Sequence, residues 1–366
     1  MVQQQSNMND ITFITCSSCG ANGMEYLSGS SELQCSYCGN RQKIIDFHVI
    51  YEYTYDVFIQ HKESTQVDTN NCSIQCPVCG GINNFRPFDV ADYCSYCGTH
   101  LTWVTSSKNP IFQPQAIQPF MIPKSHIIKK VAAWMHQKSE LWYVPSTLCT
   151  LFQPEFIEGV YVPFWTFDMS TRNWFHVERG DYITKHTYTF VNKIMQSHHV
   201  RRTIQWQSVK GSFDCNFDDI LIIASNLLPQ KNLNKLLRSS YNPQELKPYN
   251  SQYLAGFRVA RYSVPLTTAY NVAQSIADSV IKVQIKHIVG GDKQRIKFTK
   301  THYSNRTFKH ILLPLWILRY RYFGRYYYVA ISGIDGSVLG NYPLSMGAII
   351  LAFTIVATII VILLLM

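Results

Sequence analysis

Four Cys-x-x-Cys pairs in the first hundred residues constrain this chain more than any other feature. They fall as Cys16/Cys19 with Cys35/Cys38, and Cys76/Cys79 with Cys94/Cys97, each pair followed at once by glycine (CSSCG, CSYCG, CPVCG, CSYCG). In such a knuckle two thiolates on a tight turn bind one metal, and a second turn completes the tetrahedron. Glycine suits the position after the second cysteine, because the knuckle closes through a backbone conformation that other residues adopt only with strain. The second pairs follow after 15 and 14 intervening residues, close to zinc-ribbon spacing. The expectation is two four-cysteine zinc ribbons in tandem, with Zn2+ as cofactor, two per chain.

Iron and disulfides compete with that reading. A rubredoxin-like site also uses two such pairs, and ligand type alone does not exclude iron. Disulfides need an oxidising compartment. Met1–Asp10 (MVQQQSNMND) is polar, with neither a basic nor an apolar stretch, so no signal peptide is visible. The cysteine count is 11, and Cys72, Cys149 and Cys215 stand outside both sets as spare thiols. The ribbons are therefore expected in a reducing cytoplasm.

The opposite end is equally plain. Met346–Met366 (MGAIILAFTIVATIIVILLLM) has no charge and only two polar side chains, Thr354 and Thr358. At ~1.5 Å per residue it spans about 30 Å, the thickness of the hydrocarbon core of a bilayer. It reads as a single-pass transmembrane helix, a tail anchor if the chain stops where the helix stops. Between Ile281 and Ala330 stand eleven basic residues and one acid, Asp292, which equals the formal net charge of +10; the rest of the chain is neutral. A basic flank before one span keeps that side cytoplasmic. Lys293, Arg295, Lys297, Lys300, Arg306 and Lys309 then become candidates for a membrane surface that meets anionic lipid headgroups. The plainer alternative is that they are solvent-facing positions of strands.

Between these ends the pattern is α+β: two small four-cysteine zinc ribbons, then a mixed α+β domain with antiparallel sheet, then one C-terminal transmembrane helix. The first ribbon and a packing segment take 1–60, the second ribbon 61–104, a proline-containing linker 105–123, the α+β domain 124–343 and the span 346–366. Ser125–Lys138 carries Ile127, Ile128, Val131, Trp134 and Met135 at helical spacing behind a Ser cap. Residues 159–169, 181–191, 200–209 and 256–264 are rich in β-branched and aromatic residues and read as strands. Ala269–Ile288 reads as an amphipathic helix with Val272, Ile276, Val280 and Val283 along one face and Ala273 and Ala277 beside them. After His310 the chain reads as strands broken at Phe323-Gly324 and Asp335-Gly336.

No catalytic motif is present: there is no GxxxxGK[ST], HExxH, GxSxG or GxGxxG. His198 and His199 are adjacent, so on a strand they point to opposite faces. Asp214, Asp218 and Asp219 cluster acid before an apolar run and read as solvated loop acids, with cation binding as the alternative. Tyr320, Tyr322 and Tyr326–Tyr328 interleaved with arginine resemble both a nucleic-acid stacking surface and an interfacial aromatic belt. The ribbon itself is not basic, since residues 16–38 contain Glu25 and Glu32 but no Lys or Arg.

Several stretches together resemble a family of bacterial membrane proteins with amino-terminal zinc ribbons, often labelled primosomal helicase-like or TFIIB-type zinc ribbon-containing. They are GVYVPFWTFD (159–168), the Trp206 segment leading to FDDILIIAS (217–225), YLAGF (253–257), GGDKQRI (290–296), TFKHILLPLWILRY (307–320) and GIDGSVLGNYPLS (333–345). The resemblance implies metal binding through the eight knuckle cysteines and a membrane location. Because some members are encoded beside membrane-organising proteins, it also implies a scaffold. No helicase motif accompanies the knuckles here. The expected function is a non-enzymatic, zinc-binding adaptor anchored in the membrane, which docks a cytosolic or membrane-organising protein there. The alternative is a tethered nucleic-acid-binding protein.

Overall fold

The computed structural model describes residues 14–46, 49–61, 73–75, 82–84, 89–93, 100–102, 114–191, 194–225, 236–260 and 262–365. The chain is α+β with antiparallel sheets. It opens with a three-stranded sheet of β1 (Met24–Tyr26), β2 (Glu32–Cys35) and β3 (Arg41–Lys43). Alternation along these strands buries Met24, Tyr26, Leu33 and Cys35 on one face. β4 (Tyr53–Thr54) and helix α1 (Tyr55–His61) follow. β5 (Ser73–Gln75) pairs with β6 (Ile82–Asn84), and β7 (Asp89–Tyr93) with β8 (His100–Thr102).

Where it is described, from residue 114 on, the expected linker is packed into the body. Its described part contains β9 (Ala116–Ile117), and Phe120 has no exposed surface. The Phe120 ring stacks on Phe257 at 4.0 Å and meets Tyr161 and Trp316 edge-on. Prolines keep this backbone extended, and an extended backbone with an aromatic side chain can enter a sheet and its core. Helix α2 (Lys124–Ser139) buries Ile127, Val131 and Met135, but its cap is Pro123, not Ser125. The Pro123 carbonyl accepts from the His126 and Ile127 N–H groups, so Ser125 falls inside the first turn.

Three long strands then organise the molecule. β10 (Ile157–Val191) and β11 (Ile194–Ile223) form one hairpin, with β12 (Lys247–Pro248) and β13 (Arg258–Ala260) beyond it. Helix α3 (Leu266–Val289) leads into β14 (Lys293–Tyr322), β15 (Arg325–Ser332), β16 (Val338–Gly340) and helix α4 (Met346–Leu365). Near Ile157, β14 runs between β10 on one side and β4, β9 and β15 on the other, which builds the broad body of the sheet. β13 joins β10 to β7, so the strand just before Cys94 is stitched onto this sheet.

Farther from Ile157, among the described residues, only the strands β11, β10 and β14 continue, as an arm. Gly180 lies opposite Lys293, and beyond it, among the described residues, only the β10–β11 hairpin goes on. The separate strands and acidic loop read from sequence merge into these strands. Asp214 sits within β11 opposite Arg172, and Asp218 and Asp219 fall at the register shift between Phe217 and Ile220.

α3 lies along the arm, but not on the face that its valines suggest. It buries Ala269, Ala273, Ala277, Ile281, Ile285 and Val289 along one i+4 row, with Leu266 and Tyr270 beside the row in the first turns, and leaves Val272, Val280 and Val283 exposed. An i+4 row winds around a straight helix by about 40° per step, so a surface contacted along five such steps must itself twist. The arm supplies that twist. The small alanines let the helix approach closely over Thr171 and Asn173, a buried polar rung satisfied by Thr301 and the Cys215 carbonyl.

Candidate metal centre

The Cys16–Cys19 and Cys35–Cys38 turns repeat one another. In each, the first cysteine's carbonyl accepts from the glycine after the knuckle, Gly20 or Gly39, at 2.9 Å. In each, the first cysteine's N–H reaches the carbonyl five residues on, Ala21 or Asn40. A methyl group at Gly20 (φ 69°) or Gly39 (φ 73°) would meet nothing within 4 Å, so the left-handed backbone alone calls for glycine.

The two turns bring four Sγ atoms within 4.8 Å of one another. The closest approaches cross between knuckles: Cys16 to Cys38 at 3.5 Å and Cys19 to Cys35 at 3.7 Å. Four sulfurs bound tetrahedrally at ~2.3 Å would stand about 3.8 Å apart, so the residues fit one metal ion. The Cys16 thiol is held down to about 6, first by the Cys19 backbone N–H, and the Cys38 N–H lowers Cys35 in the same way. Cys19 receives the Ala21 N–H, yet sharing with Cys38 and burial push it up to about 12. Thiolate is the form that binds a cation, so metal binding here would be coupled to proton release.

This unit is not a free module. Tyr26 donates its N–H to the Ala255 carbonyl and packs edge-on against Tyr253 at 5.4 Å, while Gly29 donates to the Phe120 carbonyl. Cys16, Leu33 and Cys35 thereby share one core cluster with Phe120, Tyr161 and Trp316. Cys76, Cys79, Cys94 and Cys97, proposed for a second metal, lie outside the described residues, as does Cys72. Cys149 and Cys215 are free and stand apart from the cluster.

Of the six basic residues expected at a membrane surface, Lys309 needs correction. Lys309 is buried, 8% exposed in its side chain, between Glu52 Oε1 at 2.8 Å and Asp219 Oδ1 at 3.0 Å. Arg306 is paired with Asp56 and reaches the Tyr270 hydroxyl at 3.3 Å. A cation enters the protein interior only with carboxylate partners, and Lys309 found two. The others stand on the arm: Arg295 over the Trp206 ring, Lys293 over Tyr182, Lys297 paired with Glu178 at 3.2 Å, and Lys300 exposed.

Around Lys309 lies a network that the sequence did not reveal as one. Asp168 accepts from the Asp219 N–H and from Thr307 Oγ1, which also bonds Glu52. The Tyr241 hydroxyl donates to Asp219 at 3.1 Å. Asp219 has φ 51° beside a register shift of the β10–β11 ladder, which turns its carboxylate inward. Burial pushes Asp168 up to about 7, against the Asp219 N–H; bonds from Lys309 and Thr307 hold Glu52 below its ordinary value despite burial. Asp168, Asp218 and Asp219 bring carboxylates within 4.8 Å, and the Lys309 ammonium supplies a cation beside them. The available signals were lone charges inside apolar runs, Asp168 in PFWTFD and Lys309 in TFKHILL.

α4 is long and apolar enough to cross a membrane, and its described side chains are almost all exposed. No family profile matches the chain, and no solved structure matches it. Among curated proteins it is similar to the uncharacterised protein YdjG of Bacillus subtilis (strain 168), 26% identical over 255 residues, which cover 67% of this chain and 68% of that protein.

Proposed function

We propose that this chain is a zinc-stabilised adaptor anchored in a membrane by α4, which holds a protein partner on its arm, away from the bilayer. The observation that carries the reading is the direction of β14: it begins on the arm and ends beside the strands that lead into α4. From Lys309 to Lys293 the arm rises about 50 Å at ~3.3 Å per residue, and the β10–β11 hairpin adds roughly 35 Å more. The reducing environment suited to the cysteines and the basic flank before α4 favour a cytoplasmic body. Zinc is the metal that best suits four thiolates in a structural site, and the eight knuckle cysteines support two ions per chain.

Photo-reactive side chains at Ser212, on the arm, and at Trp142, on the body, test the reading in native membranes. Discrete protein adducts from Ser212 and not from Trp142 are expected. Nucleic acid recovered from Ser212 in place of protein would reverse it. Elemental analysis of protein purified without added metal should give about two zinc ions per chain; chiefly iron, with a visible absorption band, would reject the zinc assignment.

A further inference from the structure

The anchor end of the sheet carries features that an adaptor's arm does not use. β16 delivers the chain to Asn341, whose N–H donates to the Tyr328 carbonyl and whose carbonyl accepts from the Tyr320 hydroxyl at 2.7 Å. α4 begins five residues later, so its start lies within roughly 17 Å of Asn341. The turn between β14 and β15 is at this same end. Its tip is Phe323, 89% exposed and held at φ 43°, followed by Gly324 at φ 78°. A two-residue turn with both positions left-handed suits Asn-Gly in water, and forcing a bulky residue there costs about 1 kcal/mol. An aromatic kept at such a tip is misplaced in water and well placed at a bilayer interface.

Next to the tip a cavity of ≈ 330 Å³ opens on the sheet face. Val160 and Ile317 are its apolar floor and Phe156 one wall; Arg258, Arg319 and Arg321 stand around it with Glu155 and Glu158. Arg258 is committed to Glu158. Arg319 and Arg321 are exposed, with their guanidinium groups 5.4 Å and 5.6 Å from the ring centroids of Tyr328 and Tyr326. The rings position these charges without neutralising them. Three arginines against two glutamates leave the rim positive. An apolar floor under a positive rim matches a molecule with phosphate at one end and hydrocarbon at the other.

We infer that this cavity binds an anionic phospholipid from the bilayer that holds α4, with Arg319 and Arg321 on its phosphate and its upper acyl chain against Ile317 and Phe156. The inference rests on the anchored reading. It moves the lipid-facing charge from the start of β14 to its end, roughly 75 to 85 Å along the strand from Lys293–Lys297.

The full chain, reconstituted in phosphatidylcholine vesicles carrying traces of photo-reactive phosphatidylglycerol, tests it. Label should map to peptides containing Phe156 and residues 317–326, and the R319Q/R321Q pair should lower labelling about tenfold. The R319K/R321K pair, which keeps the charge, should label nearly as the natural chain does. Equal labelling of the glutamine variant, or equal labelling by photo-reactive phosphatidylcholine, overturns the cavity. Loss of labelling to added glycerol phosphate would make a free phosphate ester the ligand and overturn the bilayer source. Carbonate washing separates the two readings: a chain retained in membranes but labelled independently of these arginines overturns the cavity alone, and one that washes out overturns the anchor.

Discussion

Lys309 keeps its charge inside the protein because Glu52 and Asp219 more than offset the burial that opposes it. Replacing it by Met would leave carboxylates facing one another without a cation. Removing one partner of a buried pair costs about 3–5 kcal/mol, and the partial exposure of Glu52 points to the lower end. A melt of the full chain in mild detergent should show a clear drop in Tm. Asp168 carries the pH dependence. Its carboxyl is raised in the fold, so its contribution is complete below the ordinary carboxylate range and is lost as pH rises toward about 7. With zinc in excess, Asp168→Asn should therefore gain stability relative to the natural chain between pH 5 and pH 8, by no more than about 2 kcal/mol after solvent screening. A constant difference across that range would remove Asp168 as the titrating group. At the metal centre, Cys35→Ser should lower the bound metal by one ion per chain. Since Cys35 shares a core cluster with Tyr253 and Phe257, protease sites in the body should open as well.

At the scale of elements, α3 shows that a helix buries the row its support can follow, not its most apolar side. The arm twists beneath it, and the alanine row tracks that twist where the valine row does not. Tyr303 fixes the seating by donating its hydroxyl to Asp278 of the helix. Two substitutions separate the rows. Ala277→Leu drives a large side chain into the close approach and should destabilise by about 1–3 kcal/mol. Val280→Ser, on the exposed row, should stay within about 0.5 kcal/mol. Denaturant titrations of both variants check this, and the reverse ranking would mean that the helix lies the other way round.

At the scale of the whole molecule, the described residues are elongated, with the length set by the three long strands. The 24-residue α3 is about 36 Å long. From Phe308, beneath its first turns, to Ile296, beneath its last, β14 climbs about 40 Å, so helix and arm run together without a sharp bend. Dyes placed at Ser212 and Phe323 should then lie about 70 Å apart, since Ser212 stands opposite Trp174, Trp174 opposite Lys300, and β14 continues 22 residues to Tyr322. Energy transfer corresponding to less than about 40 Å would mean that the arm folds back on the body.

Local chemistry was legible in the sequence. Knuckle closure depends on residues three apart and one glycine, and membrane compatibility on an uncharged, predominantly apolar run of about twenty residues, so the four-cysteine cluster and α4 could be read from short windows. The buried face of α2 was legible for the same reason, since Ile127, Val131 and Met135 fall at helical spacing. What stayed hidden depends on partners far away in the chain. Glu52 meets Lys309 across 257 positions, and Arg306 meets Asp56 across 250. Neither residue's own surroundings reveal that its charge will be neutralised. The face of α3 was settled by the twist of strands on both sides of it in sequence, and the location of the basic residues relative to α4 by the course of β14. Spacing and hydropathy act over a few residues; burial of a charge, choice of a helix face and direction of an arm are decided only when distant segments pack.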